Sequence, residues 1–179
     1  MKAIVQDRYG APEVLEFRGV DKPVAGPYDL LERVHASAVN ARDWHIMRGD
    51  PYLVRVMSPS VFRWSGPKMR IRGCDFAGRV ESVGSAVTRF RPGDDVYGDV
   101  GAPDGAFAEY LSAPEELVAA KPENVSFEQA AAVPVAGNTA LMGVRDAGRS
   151  SQGSTSSSTA AQAALGPSQF RSLKPSGRR

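Results

Sequence analysis

The chain has very few cysteines and histidines. Its 179 residues include a single cysteine, Cys74, and two histidines, His35 and His45. One cysteine excludes an intrachain disulfide and a structural zinc site made of cysteines. A packed core is nevertheless feasible at this length, because a domain of about 150 residues buries roughly 68–70% of the surface of its unfolded chain.

Long apolar runs and a strong net charge are also absent. No stretch approaches the ~20 apolar residues of a membrane span, and the first ten residues lack the apolar core of a signal peptide. The net charge of +2 is too small to favour nucleic acid or an anionic membrane as a partner. We therefore expect a soluble, cytoplasmic protein that binds neither nucleic acid nor a membrane.

The first 120 or so residues consist of short apolar runs separated by Gly, Pro and Asp. Residues 78–83 alternate apolar and polar side chains, as a half-buried strand does. Many short strands with turn signals between them are typical of a barrel or sandwich. The candidate strands are 3–5, 14–17, 30–39, 78–83, 96–98, 105–111 and 117–118.

The periodicity changes to that of helices after residue 125. Ser126 and Gln129 have the spacing of a capping box, which predicts a helix start there. The helix should end or kink near Pro134, and a second helical segment should cover 135–147, with Gly148 as its C′ residue. We therefore predict a β-rich domain over 1–125 and a helical connector over 126–148.

The tail, 149–179, is rich in serine and of low complexity. It contains no Asp or Glu, and no Val or Ile occurs after Val144. Such a segment buries too little apolar surface to offset the entropy of ordering it, so it is predicted to be disordered.

Several segments resemble the medium-chain dehydrogenase/reductase superfamily. Residues 73–84 read Gly-Cys-Asp-Phe-Ala-Gly-Arg-Val-Glu-Ser-Val-Gly, similar to the Gly-His-Glu-x-x-Gly-x-Val-x-x-Val-Gly segment of that family. The resemblance implies a GroES-like β-domain, normally followed by a Rossmann α/β domain that binds NAD(P). The matching segments are 1–5, 39–44, 73–84, 90–98, 105–110 and 130–141.

The positions that bind zinc in other members carry different residues here. Cys74 stands where those members have a histidine, and Asn40 stands where they have a cysteine. A neutral amide is a poor zinc ligand beside thiolate and imidazole. We expect no metal, a Cys74 that behaves as a small buried hydrophobe, and membership of the zinc-independent, quinone-oxidoreductase-like branch. Asp75 is expected to accept a structural hydrogen bond.

The resemblance implies three catalytic residues near the nicotinamide and the substrate: Asn40, Asp43 and His45. Without a metal, hydrogen-bond donors must polarise the substrate carbonyl. His45, with an ordinary pKa of about 6.5, could donate a proton to the oxyanion. The alternative, which we favour for His45, is an ordinary polar residue on a short helical turn. Asp43 has the alternative of capping that turn.

Three further residues are assigned to substrate and cofactor. Tyr52 could stack on a quinone ring or serve in packing, and 57–70 resembles a lid or insertion. Asn138 and Thr139 could hydrogen-bond the nicotinamide carboxamide or cap a helix. The cofactor implied is NADP or NAD, the substrate a small conjugated carbonyl or quinone, and the intact protein a possible homodimer.

The glycine-rich fingerprint of a Rossmann domain is missing from the tail. In a reading frame shifted by one base, each new codon joins the third base of one codon to the first two bases of the next. If Ser156, Ser157 and Ser158 have codons that begin with TC, the shifted codons are NTC, which encode Phe, Leu, Ile or Val. The shifted frame is compatible with a buried strand, a Gly-Gly-Ser-Gly-Gly-Val-Gly turn and a helix. Our hypothesis is an out-of-frame tail that replaces the Rossmann domain. The alternative is a genuine Ser-rich extension.

Two functions follow from these patterns. The first is an NAD(P)H-dependent, zinc-independent quinone oxidoreductase or enone reductase, inactive without its nucleotide-binding domain. The second is a GroES-like β-domain that acts as a non-catalytic binding or interaction module, because the helices after residue 125 would expose an apolar face.

Overall fold

Antiparallel strands dominate the computed structural model, which describes residues 1–50, 66–101 and 104–147. The strands in this part of the chain are β1 (Lys2–Gln6), β2 (Leu15–Gly19), β3 (Asp29–Ala38), β4 (Asp75–Val83), β5 (Asp95–Asp99), β6 (Tyr110–Pro114) and β7 (Val118–Ala120). The helices are α1 (Ala41–Arg48), α2 (Phe127–Ala131) and α3 (Pro134–Leu141), with single 3₁₀ turns at Pro12–Val14 and Glu115–Leu117 and a π-helical segment at Met142–Ala147.

Five of the strands form one sheet in the order β6-β3-β4-β5-β7, and β1 pairs with β2 in a second sheet. Every strand pairing is antiparallel. The bridges Ala3 to Ala108 and Val5 to Ile71 link β1 to the chain around the larger sheet. The described residues are therefore mainly β, as predicted for a GroES-like domain, and include no Rossmann fold.

The core lies on the face of the larger sheet where alternate side chains point inwards. Its largest fully buried apolar members, Phe76 and Leu30, lie on the central strands β4 and β3. The other buried members are Val80, Val96, Val100, Ala106, Leu111, Ala113 and Val118. Burial alternates along β5 and β6 and over 78–81 of β4, as predicted, whereas residues 75–78 of β4 and 30–32 of β3 are buried without interruption.

Helix α2 covers the opposite face of the sheet. Ser126 Oγ accepts a hydrogen bond from Gln129 N at 3.2 Å, and Gln129 Oε1 accepts one from Ser126 N at 3.0 Å, which confirms the predicted capping box. Ala130 and Ala131 pack with Ala77 of β4.

The chain divides into two compact units, Met1–Ala132 and Val133–Arg179. In the second, α3 begins at Pro134, which confirms the predicted break. The side chains of Val133, Leu141 and Met142 are exposed. No helix in the described part of the chain combines the length and apolar character that a membrane crossing requires.

The strand predicted over 105–111 begins later than expected. Regular pairing starts at Tyr110, and only an isolated bridge involves Ala108. The reason is a left-handed turn, because Asp104 has φ 55° and Gly105 has φ 125°, conformations outside those of a strand. Several predictions lie outside the described residues, namely Tyr52, most of the lid at 57–70, the C′ residue Gly148 and the tail 149–179.

Candidate active site

The first turn of α1 holds two of the predicted catalytic residues in one hydrogen-bonded unit. Strand β3 ends at Ala38, and Asn40 is the N-cap of α1. The Asn40 backbone N–H donates to Asp43 Oδ2 at 2.7 Å, and the Asp43 N–H donates to the Asn40 carbonyl at 3.0 Å. Asp43 thus has the capping contact that the sequence offered as its alternative role.

The side chain of Asn40 connects this turn to the 73–84 motif. Its Nδ2 donates to Asp75 Oδ2 at 3.1 Å and lies 3.7 Å from Cys74 Sγ. Asp75 therefore accepts a structural hydrogen bond, as predicted. The two positions that separate this chain from zinc-binding members, 40 and 74, are in direct contact.

Asp43 has a buried carboxyl group, and in the described part of the chain only its Oδ2 atom accepts a hydrogen bond. The residue is 6% exposed, and Oδ1 has no hydrogen-bond partner among the described residues. Burial raises the pKa of Asp43 above its usual value, although the hydrogen bond from the Asn40 N–H lowers it. The nearby Asp104 adds to the rise, and Arg42 and Arg72 oppose it. A carboxyl in this environment retains its proton more readily than an exposed one.

His45 lies on the solvent side of α1. Asp43, Ile46 and Met47 form the buried face of the helix, whereas His45 is exposed and packs edge-on against Trp44, with ring centroids 4.8 Å apart. Residues two positions apart do not share a helix face. This placement favours our alternative interpretation of His45 as an ordinary polar residue.

Three charged residues next to Asp43 were missed from the sequence. Arg42 Nη1 forms an ion pair with Asp104 Oδ1, and Arg72 Nη1 pairs with Asp104 Oδ2 at 3.0 Å. Asp104 lies 62 residues from Arg42, so no local pattern could have joined them. The only available signal was an Arg placed in the first turn of a helix, where acidic residues are preferred.

A possible metal-binding group also lies here. Single ligand atoms of Cys74, Asp75 and Asp99 lie within 4.8 Å of one another. Burial, assisted by Asp43, Asp75 and Asp99, raises the pKa of Cys74 to about 12, so the thiol is protonated at neutral pH. A bound cation would itself lower the pKa of the thiol, so the ligand set decides: Asp75 Oδ2 already accepts from Asn40 Nδ2, and no histidine belongs to the group. These residues fit a zinc ion poorly.

Cys74 should therefore react slowly with thiol reagents. It is fully buried, and only the thiolate is the nucleophile. We expect little modification of the folded protein by iodoacetamide at pH 8, and one modified thiol per chain in guanidinium chloride. Rapid modification of the folded protein at this pH, followed by mass spectrometry, would contradict the burial and the raised pKa.

The two predicted cofactor residues lie within α3 in the second unit. Asn138 and Thr139 are exposed, and their carbonyls accept hydrogen bonds from Met142 N. The helix begins at Pro134 after Val133, so the alternative that they cap a helix N-terminus is wrong. Their contact with nicotinamide stays a prediction.

Comparison with known proteins identifies the family. Residues 26–123 match the alcohol dehydrogenase GroES-like domain. The quinone oxidoreductase of Pseudomonas aeruginosa is 38% identical over 131 residues, which cover 73% of this chain and 36% of that protein. The 2-methylene-furan-3-one reductase of Solanum lycopersicum is 36% identical over 159 residues, which cover 84% and 38%.

Solved structures agree. The quinone oxidoreductase from Coxiella burnetii has a TM-score of 0.72 and 34% identity, over 83% of this chain and 45% of that one. The Escherichia coli quinone oxidoreductase complexed with NADPH has a TM-score of 0.70 and 27% identity, over 82% and 41%. The chain thus spans less than half the length of these relatives. It belongs to the alcohol dehydrogenase GroES-like domain family, in the quinone-oxidoreductase-like branch of the medium-chain dehydrogenase/reductase superfamily.

Proposed function

We propose that this domain is the substrate-side part of an NAD(P)H-dependent oxidoreductase that reduces quinones or conjugated carbonyls without zinc. The observation that carries the proposal is the position of Asn40, whose amide is held by Asp75 beside the protonated thiol of Cys74. Relatives named quinone oxidoreductase, furanone reductase and alkenal/one oxidoreductase support the substrate class. A relative complexed with NADPH supports the cofactor.

The bound cofactor supplies a hydride, and the residues of this chain must bind the substrate oxygen and provide a proton. Asn40 contributes an amide whose direction is fixed by Asp75. The second N–H, which has only a long contact of 3.5 Å to the Ala38 carbonyl, would turn to the substrate oxygen as charge develops there. Asp43 contributes a buried carboxyl whose pKa lies above its usual value because of burial, with Oδ1 not engaged by any described residue. His45 is the exposed alternative donor.

The 179-residue chain should not turn over by itself under this proposal. The described residues contain the GroES-like domain and no nucleotide-binding fold, and Asn138 and Thr139 alone offer no site for the pyrophosphate. Use of NADP rather than NAD, a homodimeric whole protein and cytoplasmic location belong to the same proposal.

The test compares two proteins in an assay of NADPH oxidation with a benzoquinone and an enone. One is the 179-residue chain, and the other continues residues 1–148 in the shifted reading frame. We expect turnover only from the second. Asn40→Ala should lower its kcat/KM by about 10²-fold, the usual effect of removing one oxyanion donor.

Asn124→Ala is the matched control, because Asn124 is an exposed turn residue and its loss should leave kcat/KM unchanged. Equal rates for Asn40→Ala and the parent would contradict the role of Asn40. Stoichiometric zinc in the active protein, measured by mass spectrometry of the metal, would contradict zinc independence.

A second candidate is the non-catalytic binding module. It is favoured by the exposed apolar side chains of Val133, Leu141 and Met142 in the second unit, because such surfaces often take part in association. Association of the 179-residue chain in analytical ultracentrifugation, with no NADPH binding by either protein, would support this candidate over the reductase.

A further inference from the structure

Asp104 is the buried centre of an ionic cluster with Arg72, which is also buried, and Arg42, whose side chain is 30% exposed. Its carboxylate accepts one guanidinium at each oxygen, Arg42 at Oδ1 and Arg72 at Oδ2. Asp104 is 5% exposed and Arg72 is 3% exposed. Buried ions of this kind are costly unless they are paired, so the three side chains hold one another in place.

Each member of the cluster belongs to a different segment of the chain. Arg42 lies in the first turn of α1. Arg72 immediately precedes the Gly73–Cys74 step, and its side chain also donates to the Met69 carbonyl. Asp104 follows β5 by five residues and is the only described non-glycine residue with positive φ, at 55°. The cluster therefore fixes α1 against the chain that enters β4 and the loop that leaves β5.

The backbone reinforces this junction on two sides. The N–H groups of Phe107 and Ala106 donate to the carbonyls of Arg72 and Gly73 at 2.9 and 3.0 Å. Gly73 has φ 91°, and a Cβ there would lie 2.4 Å from Phe107 Cδ1. Arg72 and the loop after Asp104 are thus already joined to each other. The Arg42 side chain joins α1 to Asp104, and the Asn40 amide adds a separate contact with Asp75.

We propose that Asp104 is a positioning residue, which acts through Arg42 to set the orientation of Asn40 and Asp43 in the candidate active site. Arg42 lies between these two residues in the sequence, and the same turn contains the bond from Asn40 N to Asp43 Oδ2. Anchoring of Arg42 holds this turn at the distance where Asn40 Nδ2 reaches Asp75. The inference rests on the proposed function in that Asn40 and Asp43 are the working groups.

The charges predict what happens when Asp104 is neutralised. Asp43 is the other carboxylate that interacts with both Arg42 and Arg72, beside the neutral thiol of Cys74. Without the charge of Asp104, the buried guanidinium of Arg72 and the half-buried one of Arg42 would still interact with the carboxylate of Asp43. Asp43 would then be drawn towards them and away from the Asn40 N–H.

Amide hydrogen exchange in the 179-residue chain tests this inference without any assay of turnover. Asp104→Asn removes the charge and keeps the shape, and asparagine tolerates positive φ. We expect the Asn40 and Asp43 amides to exchange about tenfold faster, the change that accompanies loss of one hydrogen bond to a charged group. Amides of β4 and β5, such as Ala77 and Tyr97, should change much less.

The control is Asp95→Asn, which removes the aspartate of the solvent-exposed pair with Arg79 and should leave the Asn40 amide unchanged. Arg42→Gln removes only the Arg42 pair and leaves Arg72 paired with Asp104, so it should raise exchange at Asn40 and Asp43 less than Asp104→Asn does. The double variant should exchange no faster than Asp104→Asn alone, because that variant already lacks the Arg42 pair. A uniform rise across α1 and the strands would show a general loss of stability and overturn the inference, as would an unchanged Asn40 amide.

In a protein that turns over, Asp104→Asn should lower kcat by about tenfold with a smaller change in KM, since it misplaces groups that act in the transition state. If Asp104→Asn alters amide exchange but neither the 179-residue chain nor the protein continued in the shifted frame turns over, the proposed function is refuted. The inference that Asp104 positions α1 would still stand. Altered exchange with unchanged kcat would refute the link between the two.

Discussion

Replacement of Glu32 by Gln should stabilise the protein by about 3 kcal/mol at pH 7, with a gain that grows with pH. Glu32 lies on β3 opposite Val80 of β4 and Leu111 of β6. It is fully buried, and neither carboxylate oxygen has a partner among the described residues. Desolvation raises the pKa of Glu32 from 4.5 to about 9.

The direction in which stability changes with pH follows from the state, folded or unfolded, that binds the Glu32 proton more tightly. Because the folded state holds the proton up to about pH 9 and the unfolded state releases it near pH 4.5, folding is fully supported below pH 4.5 and loses stability as pH rises from there to 9. The loss is about 1.4 kcal/mol per pH unit, hence about 3 kcal/mol at pH 7. Gln cannot ionise, so the variant escapes this loss.

Urea unfolding at pH 5, 7 and 8.5 measures the difference. The variant and the parent should differ by less than about 1 kcal/mol at pH 5 and diverge above it. Glu16→Gln, on the exposed face of β2, is the matched control and should show no such divergence. Equal stability of Glu32→Gln and parent at pH 8.5 would mean that Glu32 is solvated or paired.

Phe76→Ala should cost about 3–5 kcal/mol of unfolding free energy, the usual loss for a large buried aromatic. The Phe76 ring is fully buried at the centre of the core, on β4 between β3 and β5. It lies over Gly98, where an added Cβ would come within 3.1 Å of Phe76 Cε1. No smaller side chain can fill the space between these strands.

A loss of this size is a large share of the 5–15 kcal/mol that stabilises a typical domain. We therefore expect Phe76→Ala to lower the melting temperature strongly in calorimetry and to lose soluble yield. Phe17→Ala, on β2, is the control, because Phe17 is 72% exposed. A similar melting temperature for the two variants would contradict the placement of Phe76 in the core.

Much of the fold follows from local pattern. The alternation in 78–83, the capping box at Ser126 and the break at Pro134 each depend on residues within one or two turns of each other, and the structure confirms all three. The strand predicted over 105–111 was shortened because the chain turns through a left-handed residue at Asp104. Aspartate adopts that conformation too rarely for the sequence to predict it.

The candidate site was only partly predictable, for a related reason. Asn40 and Cys74 could be paired because the resemblance places both at zinc-binding positions. Asp104 could not, since its partners lie 62 and 32 residues away and ion pairs leave no periodic trace. The sequence contained one sign that Glu32 is buried, because this acidic residue follows the apolar pair at the start of β3. Whether such a side chain is buried depends on tertiary contacts, which the sequence pattern does not show.

The strand order β6-β3-β4-β5-β7 has a consequence for how the protein is made. β3 is an interior strand, and its partner β6 comes more than 70 residues later, with Leu30 opposite Ala113. Such distant pairings must close large loops before they gain contacts, so folding should take milliseconds to seconds. During synthesis, the edge of β3 stays unpaired until residue 114 has left the ribosome, and in that interval the nascent chain is most prone to aggregate.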